Sequence, residues 1–389
     1  MSEIDNLINQ LPEKRKIGDL HADSFIGEVI KTHELKDINI YFRKLIYNNE
    51  LNSAPIPKEF NDYVNENSKL PEWADIEKIE LAQKTFTRIG PGFIMAYFCK
   101  SLPECYACGN GAEILFKTGR LTQHTRRRIA QTAQFVLDVM SPGGLESSGR
   151  GLATSLKVRM MHASVRLYFL KEVEKGHIEY DINTTGYPIN QEDLLGTMLS
   201  FSYVVIEGIR KLGFSISKEE SEAIIHLWKC IGYLIGIEHV ELIGNYEDSR
   251  KLWNAISASQ AKKTEEGTAL NNLLVGFLEE LIPEKILDDV VFIMMHHLLE
   301  KNISEILSLQ KPKIYNPIAV ISFILGMILL RFESIGLISR LASHYVNMKL
   351  MIRLEQYIAE GEDTGIYIPP SLKKDWNFDN IPKSMIKHI

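Results

Sequence analysis

Between Lys157 and Tyr168 the chain reads Lys-Val-Arg-Met-Met-His-Ala-Ser-Val-Arg-Leu-Tyr, a single histidine in an apolar setting with an arginine on either side. Val158, Met161 or His162, Val165 and Phe169 recur at the three-to-four-residue step that keeps side chains on one helix face. His162 then points inward, where an imidazole serves either a structural hydrogen bond to a nearby carbonyl or a metal. Arg159, three residues before it, and Arg166, four after it, bring two guanidinium groups to the same neighbourhood. Their charge disfavours protonation and keeps the ring in the neutral form that binds metal. The same charges suit an anionic ligand, such as a carboxylate or phosphate held bidentately.

Other metal-ligating residue types are arranged less productively. Cys105 and Cys108 form a Cys-x-x-Cys, whereas Cys99 and Cys230 stand alone. With no second ligand pair at zinc spacing, the expectation is two buried, reduced thiols in a turn led by Pro103. Adjacent His296 and His297 would point about 100° apart on a helix and cannot easily share one ion. His226 and His239 belong to separate turns.

The elements that must carry these residues read as helix almost throughout, with three-to-four-residue apolar periodicity, few alternating runs and widely spaced turn signals, so the fold class is all-α. A helix opens near Ala22, and Pro55, Pro57 and Pro71 then interrupt regular structure. A helix from Ile76 to Arg88 turns at Gly90-Pro91-Gly92 and resumes from Phe93 to Ser101. Ala112 to Thr118 forms a short helix stopped at Gly119. Thr122 or Thr125 caps the next helix, which carries Arg128, Thr132 and Phe135 on one face. Pro142-Gly143-Gly144 and Ser147-Ser148-Gly149 form a flexible connection into the histidine helix. Beyond the turn at Gly186 to Asn190, Asn190 with Asp193 caps a helix through Leu194, Met198, Phe201 and Val205. Further helices are expected from about Ser217 to Leu234 and Glu265 to Leu281. The organisation expected is an N-terminal accessory helical segment over residues 1–75, a core over 76–300, and a C-terminal helical extension over 301–389 packed on that core.

At 389 residues and 45% hydrophobic content the chain can bury a large core. Its net charge of -6 gives no general attraction to nucleic acid, although Arg126-Arg127-Arg128 makes a local basic spot. The N-terminal residues carry no basic region followed by an apolar run, so a cytoplasmic location is the expectation. Residues 317–330 are uncharged but shorter than the roughly 18 to 20 residues needed to span a bilayer, which leaves a buried helix or peripheral membrane contact.

Several pieces stand in a recognisable order: Phe116-Lys-Thr-Gly-Arg-Leu121, Arg128-x-x-x-Thr132-x-x-Phe135, Gly149-Arg-Gly151, Met161-His-Ala163 with Arg166, and Gly186-Tyr-Pro-Ile-Asn-Gln-Glu-Asp193. Together they resemble the MpaB/rubber oxygenase family, closely over about Ile76 to Gly236. That resemblance implies a haem b protein with a globin-like helical core enlarged by additional N- and C-terminal helices. It also implies an oxygenase that uses dioxygen to oxidise or cleave a C=C bond of an apolar, isoprenoid- or lipid-like substrate. The alternative is a helical protein that binds haem or lipid without turnover.

By the same resemblance His162 stands where the family has the histidine on haem iron, and a hydrogen bond to its other ring nitrogen would tune the metal. Arg128 and Thr132 match the arginine and threonine over the opposite haem face, where a guanidinium or hydroxyl stabilises developing negative charge. Read from the residues alone, Arg128 is solvated and Thr132 bonds back to its own helix. Arg166, and less directly Arg159, would pair with a haem propionate. Glu113 lies nearest to the family's base for an allylic proton, work that an apolar neighbourhood suits a carboxylate to perform. One departure is Gln131, where rubber-cleaving members can have a lysine at the distal iron position. A small or membrane-borne isoprenoid or other unsaturated lipid therefore fits better than rubber.

Overall fold

The structure, a computed structural model, describes residues 2–32, 57–118, 120–147, 149–281 and 288–311. Residues 317–330, Gly119, Ser148 and the side chains of residues 120–127, with Arg126 and Arg127 among them, lie outside the described residues. Every regular element described is helical, and the β-type pairing among the described residues is a single bridge between Cys108 and Ala261. The fold is all-α.

In chain order the first helices are α1 (Glu3–Asn9), α2 (Leu11–Lys14), α3 (Leu20–Thr32), α4 (Lys58–Asn67) and α5 (Ile76–Ile89). Then α6 (Pro91–Ala96) runs through a π-helical turn (Tyr97–Ser101) into α7 (Leu102–Ala107), followed by α8 (Gly109–Lys117), α9 (Arg120–Met140) and α10 (Arg150–Glu174). After α11 (Ile182–Thr185), α12 (Gln191–Leu199) passes through a second π-helical turn (Ser200–Val204) into α13 (Val205–Lys211). The chain continues with α14 (Lys218–Leu234), α15 (Tyr246–Gln260), α16 (Glu265–Leu281), α17 (Asp288–Leu298) and α18 (Lys301–Ile306). Among the described residues no helix is long and apolar enough to cross a membrane.

Local chemistry explains many of the boundaries. At α14 the Ser217 hydroxyl accepts from the Glu220 amide at 3.1 Å while the Glu220 carboxylate accepts from the Ser217 amide at 2.8 Å, a reciprocal cap. Asn190 caps α12 by accepting from the Asp193 amide at 2.9 Å. Gly90, at φ +56°, lets α6 start immediately at Pro91, earlier than the expected restart at Phe93. The Cys-x-x-Cys is also more helical than expected. Cys105 lies inside α7 and Cys108 forms the break, with α8 already under way at Gly109. Helix α9 begins at Arg120, so Thr122 and Thr125 lie within it rather than at the position just before its first residue.

The main core includes a long pair of helices. Ile79, Ala82, Phe86 and Ile89 of α5 share one face and pack with α14, which contributes Ile224, Leu227, Trp228 and Ile231. Each of the larger side chains among them stabilises the fold by about 1.5–3 kcal/mol through removal from water. Helix α10 is held from two sides. It packs along α9, and its Leu156, Met160 and Ala163 bury against Ala22, Ile26 and Val29 of α3 and Phe60, Tyr63 and Val64 of α4. The N-terminal helices thus cover the back of the histidine helix.

The connection from α9 to α10 is tightly closed at its glycines. The Gly151 amide donates to the Gly144 carbonyl at 2.8 Å. A Cβ on Gly151 would lie 2.6 Å from that carbonyl oxygen and 2.8 Å from that of Asp138. Asp138 itself, almost fully buried, accepts from Thr154 at 2.7 Å and Gln134 at 2.6 Å and pairs with Arg150 at 3.4 Å. Burial pushes its carboxyl up, against the pull of Thr154 and Arg150.

Candidate functional site

Helices α9 and α10 run as a closed pair, and Arg128 lies as many residues before the end of α9 as His162 lies after the start of α10. The two residues therefore come to the same level. His162 is half-buried as a residue, but its Nδ1 is shut off from solvent and makes no hydrogen bond. Burial pushes the imidazole down to about 3, with Arg166 and then Arg128 adding to the shift and Asp19 opposing it. The ring is neutral, and burial contributes more than the flanking charges that the sequence pointed to. A buried ring nitrogen without a partner is costly unless a ligand takes it.

The flanking arginines are both engaged. Arg159 donates from Nε and Nη2 to the two oxygens of Asp19 at 2.6 and 3.0 Å, and from Nη1 to Asn67 at 3.2 Å. Arg166, fully buried, meets Asp23 through Nε at 2.8 and 3.1 Å and through Nη2 at 2.7 Å, while its Nη1 donates to the Ile189 carbonyl at 3.2 Å. A haem propionate was the expected partner of Arg166 and, less directly, Arg159; in the structure their carboxylate partners are Asp23 and Asp19.

On α9, Arg128 is half-buried and its charge reaches both His162 and Tyr106. One turn on, the Thr132 hydroxyl donates to the Arg128 carbonyl at 3.0 Å. Thr132 also lines a cavity of about 10 Å³ whose other walls include Ile94, Tyr97, Phe98, Ala133 and Phe201. Both π-helical turns contribute to it, Tyr97 and Phe98 from one and Phe201 from the other. Such turns recur at functional sites because the extra residue redirects side chains. Gln131 is exposed and is not among the cavity's walls.

Glu113 on α8 accepts at Oε1 from Lys117 at 2.7 Å and at Oε2 from the Thr185 hydroxyl at 3.4 Å. The carbonyl of Thr185 accepts from Arg15, which also donates to Glu192 at 3.0 Å and Asp193 at 3.1 Å. Burial pushes Glu192 and Asp193 up, and Arg15 draws both back. The Gly186 to Asp193 motif is thereby fastened to the N-terminal segment through Arg15.

Sequence reasoning missed Asp19 and Asp23, whose importance lies in partners far along the chain. It also missed Asn271 on α16, fully buried with neither amide atom hydrogen-bonded; a polar residue inside an apolar run is the signal that was present. The remaining candidates have their own partners. Cys105 lies 2.8 Å from the Ser200 hydroxyl and burial pushes it up to about 12, so its thiol stays protonated. His226 accepts from the Asp75 amide, His296 contacts the Gln310 carbonyl and His297 the Lys211 carbonyl. Among the described residues no three His, Cys, Asp or Glu side chains form a metal-binding group.

Known proteins resemble this chain in both sequence and fold. Residues 106–316 match the family model described as ER-bound oxygenase mpaB/B'/Rubber oxygenase, catalytic domain. A rubber oxygenase from Streptomyces sp. (strain K30) is 22% identical over 278 residues, which cover 68% of this chain and 64% of that protein. The chain thus spans a little under two thirds of that relative. A solved structure of latex clearing protein LCP in the closed state has the same fold, with a TM-score of 0.70 at 19% identity over 92% of this chain and 95% of that one.

Proposed function

The chain belongs to the family of the ER-bound oxygenase mpaB/B'/rubber oxygenase catalytic domain, and from that premise we propose that it is a haem b-dependent oxygenase acting on a C=C bond of an apolar, isoprenoid- or lipid-like substrate. The observation that carries this reading is His162, a neutral imidazole whose buried Nδ1 has no partner in the protein. A single neutral imidazole is a suitable donor for haem iron, which needs no cluster of protein ligands because the porphyrin supplies the others. When bound, the haem would supply the activation of dioxygen.

In this proposal the chain's own residues bind and direct. His162 would hold the haem iron, and the guanidinium of Arg128 on the facing helix would supply positive charge to offset negative charge in the reaction. The Thr132 hydroxyl, which donates to the Arg128 carbonyl, would be a second donor available to the same charge. Glu113 would take the allylic proton at Oε2, which holds only the long 3.4 Å bond from Thr185, while Oε1 accepts from Lys117. The apolar walls beside Thr132 would exclude water from this end of the site. The cavity of about 10 Å³ is smaller than a porphyrin, and His162 is not among its walls. A propionate would reach Arg159 or Arg166 only by sharing them with Asp19 or Asp23.

The test is the absorption spectrum of the purified protein, oxidised and reduced. A Soret band is expected, and His162→Ala should reduce haem content or shift the band; unchanged haem binding removes His162 from the site. Oxygen uptake with an unsaturated isoprenoid then separates an oxygenase from a haem or lipid carrier, which shows none above background.

A further inference from the structure

We propose that Asp19 and Asp23, at the start of the N-terminal helix α3, are positioning residues for His162. Through Arg159 and Arg166 they fix the histidine helix and offset the positive charges that bracket the ring. The inference rests on His162 holding haem iron.

The geometry is that of a two-point clamp. Asp19 and Asp23 stand one helical turn apart, and Arg159 and Arg166 lie on either side of His162 on α10. Asp19 is itself held, because Oδ1 also accepts from the Ala22 amide at 3.2 Å. Gly236, at φ +87°, comes so close to this carboxylate that a Cβ would lie 2.1 Å from Oδ2. Between the two ion pairs, Met160 and Ala163 pack on the apolar face of α3 and α4. The imidazole is therefore set between two crossings to one other helix. That helix lies outside the 106–316 segment shared with the family.

Charge points the same way as geometry. A fully buried guanidinium left without its carboxylate would place a full positive charge one turn from the ring. Positive charge near haem iron favours the ferrous state, and a carboxylate favours the ferric state. With Asp23 on Arg166 and Asp19 on Arg159, the two positive charges are offset beside His162.

The experiment uses the full chain loaded with haem b and reads the ferric-ferrous equilibrium by spectroelectrochemistry, with the melting temperature of the haem-free protein beside it. Asp19→Asn and Asp23→Asn should each shift that equilibrium about tenfold toward ferrous, ~59 mV for one electron. Asp23→Glu, which keeps the charge, should stay near wild type. The double variant Asp23→Asn/Arg166→Met, which removes both charges, should return most of the shift and avoids a buried unpaired ion. A fall in melting temperature with no change in the equilibrium in any variant overturns the proposal, because a purely structural pair would do only that. Wild-type protein without a Soret band overturns the haem reading and this inference together. A Soret band with unmoved potentials overturns the inference alone.

Discussion

The Gly151 amide and the Gly144 carbonyl, 2.8 Å apart, close the turn between α9 and α10 and so set the level at which Arg128 meets His162. Gly151→Ala would press a methyl carbon against two backbone carbonyls, which cannot move aside as a side chain can. Destabilisation of about 1–3 kcal/mol by urea unfolding is expected, together with weaker haem retention. A variant as stable as wild type would mean that the turn is looser than the contact distances state.

His162 should separate stability from binding. Its Nδ1 is buried without a partner, so His162→Leu removes an unmet hydrogen-bonding group from the haem-free protein. The variant is expected to match or exceed wild-type stability, within about 1 kcal/mol, while losing haem. A large loss of stability without haem would show that the ring has a structural bond.

Glu113 should behave in the opposite way to a structural acid. Its ion pair with Lys117 is partly solvated and contributes roughly 0–1 kcal/mol. Glu113→Gln should leave the melting temperature nearly unchanged and slow oxygen uptake with an unsaturated isoprenoid by about 10²–10⁴-fold. Unchanged uptake would remove Glu113 from the proposed chemistry.

His226 gives a pH dependence of defined sign. Burial, with Lys229 and Lys78 adding to it, pushes this imidazole down to about 4, and its Nε2 accepts from the Asp75 amide at 2.8 Å. The folded protein thus binds its proton later than the unfolded chain does, near the ordinary value of 6.5. Stability from this group is present above pH 6.5 and is lost as pH falls toward 4, at up to ~1.4 kcal/mol per pH unit. Urea midpoints at pH 7 and pH 5 should differ less in His226→Gln than in wild type.

What the sequence showed of this fold was its local content. Asn190 and Ser217 announce their helices because a cap is a contact over three residues, and α16 runs over the expected span from Glu265 to Leu281. The histidine helix was legible from spacing, and a neutral ring was expected from its flanking arginines, although burial turns out to be the larger cause. The partners of its arginines were not, because the Asp19–Arg159 and Asp23–Arg166 pairs join residues 140 and 143 positions apart. Nothing in the composition of α3 distinguishes those carboxylates from solvated ones. The glycines before α10 looked like slack in the sequence and are in fact the places where backbone meets backbone.

The two π-helical turns change how the chain's own periodicity must be counted. Each widens the helix by one residue per turn, so the residues after it are out of phase with those before it by about 100°. A continuous rod such as α6 to α7 therefore has two addresses for the same wheel position. Ile94 and Leu102, eight residues apart, both reach the cavity beside Thr132 because the slip brings them within about 20° of one face, where an ordinary helix would hold them about 80° apart. Deleting one residue between Tyr97 and Ser101 would restore an ordinary helix and leave Ile94 and Leu102 seven residues apart, still within about 20° of one face. A chain lacking one residue there would thus keep this wall and lose only the turn, whereas one that kept the residue in an ordinary helix would present a wall rotated by about 100°.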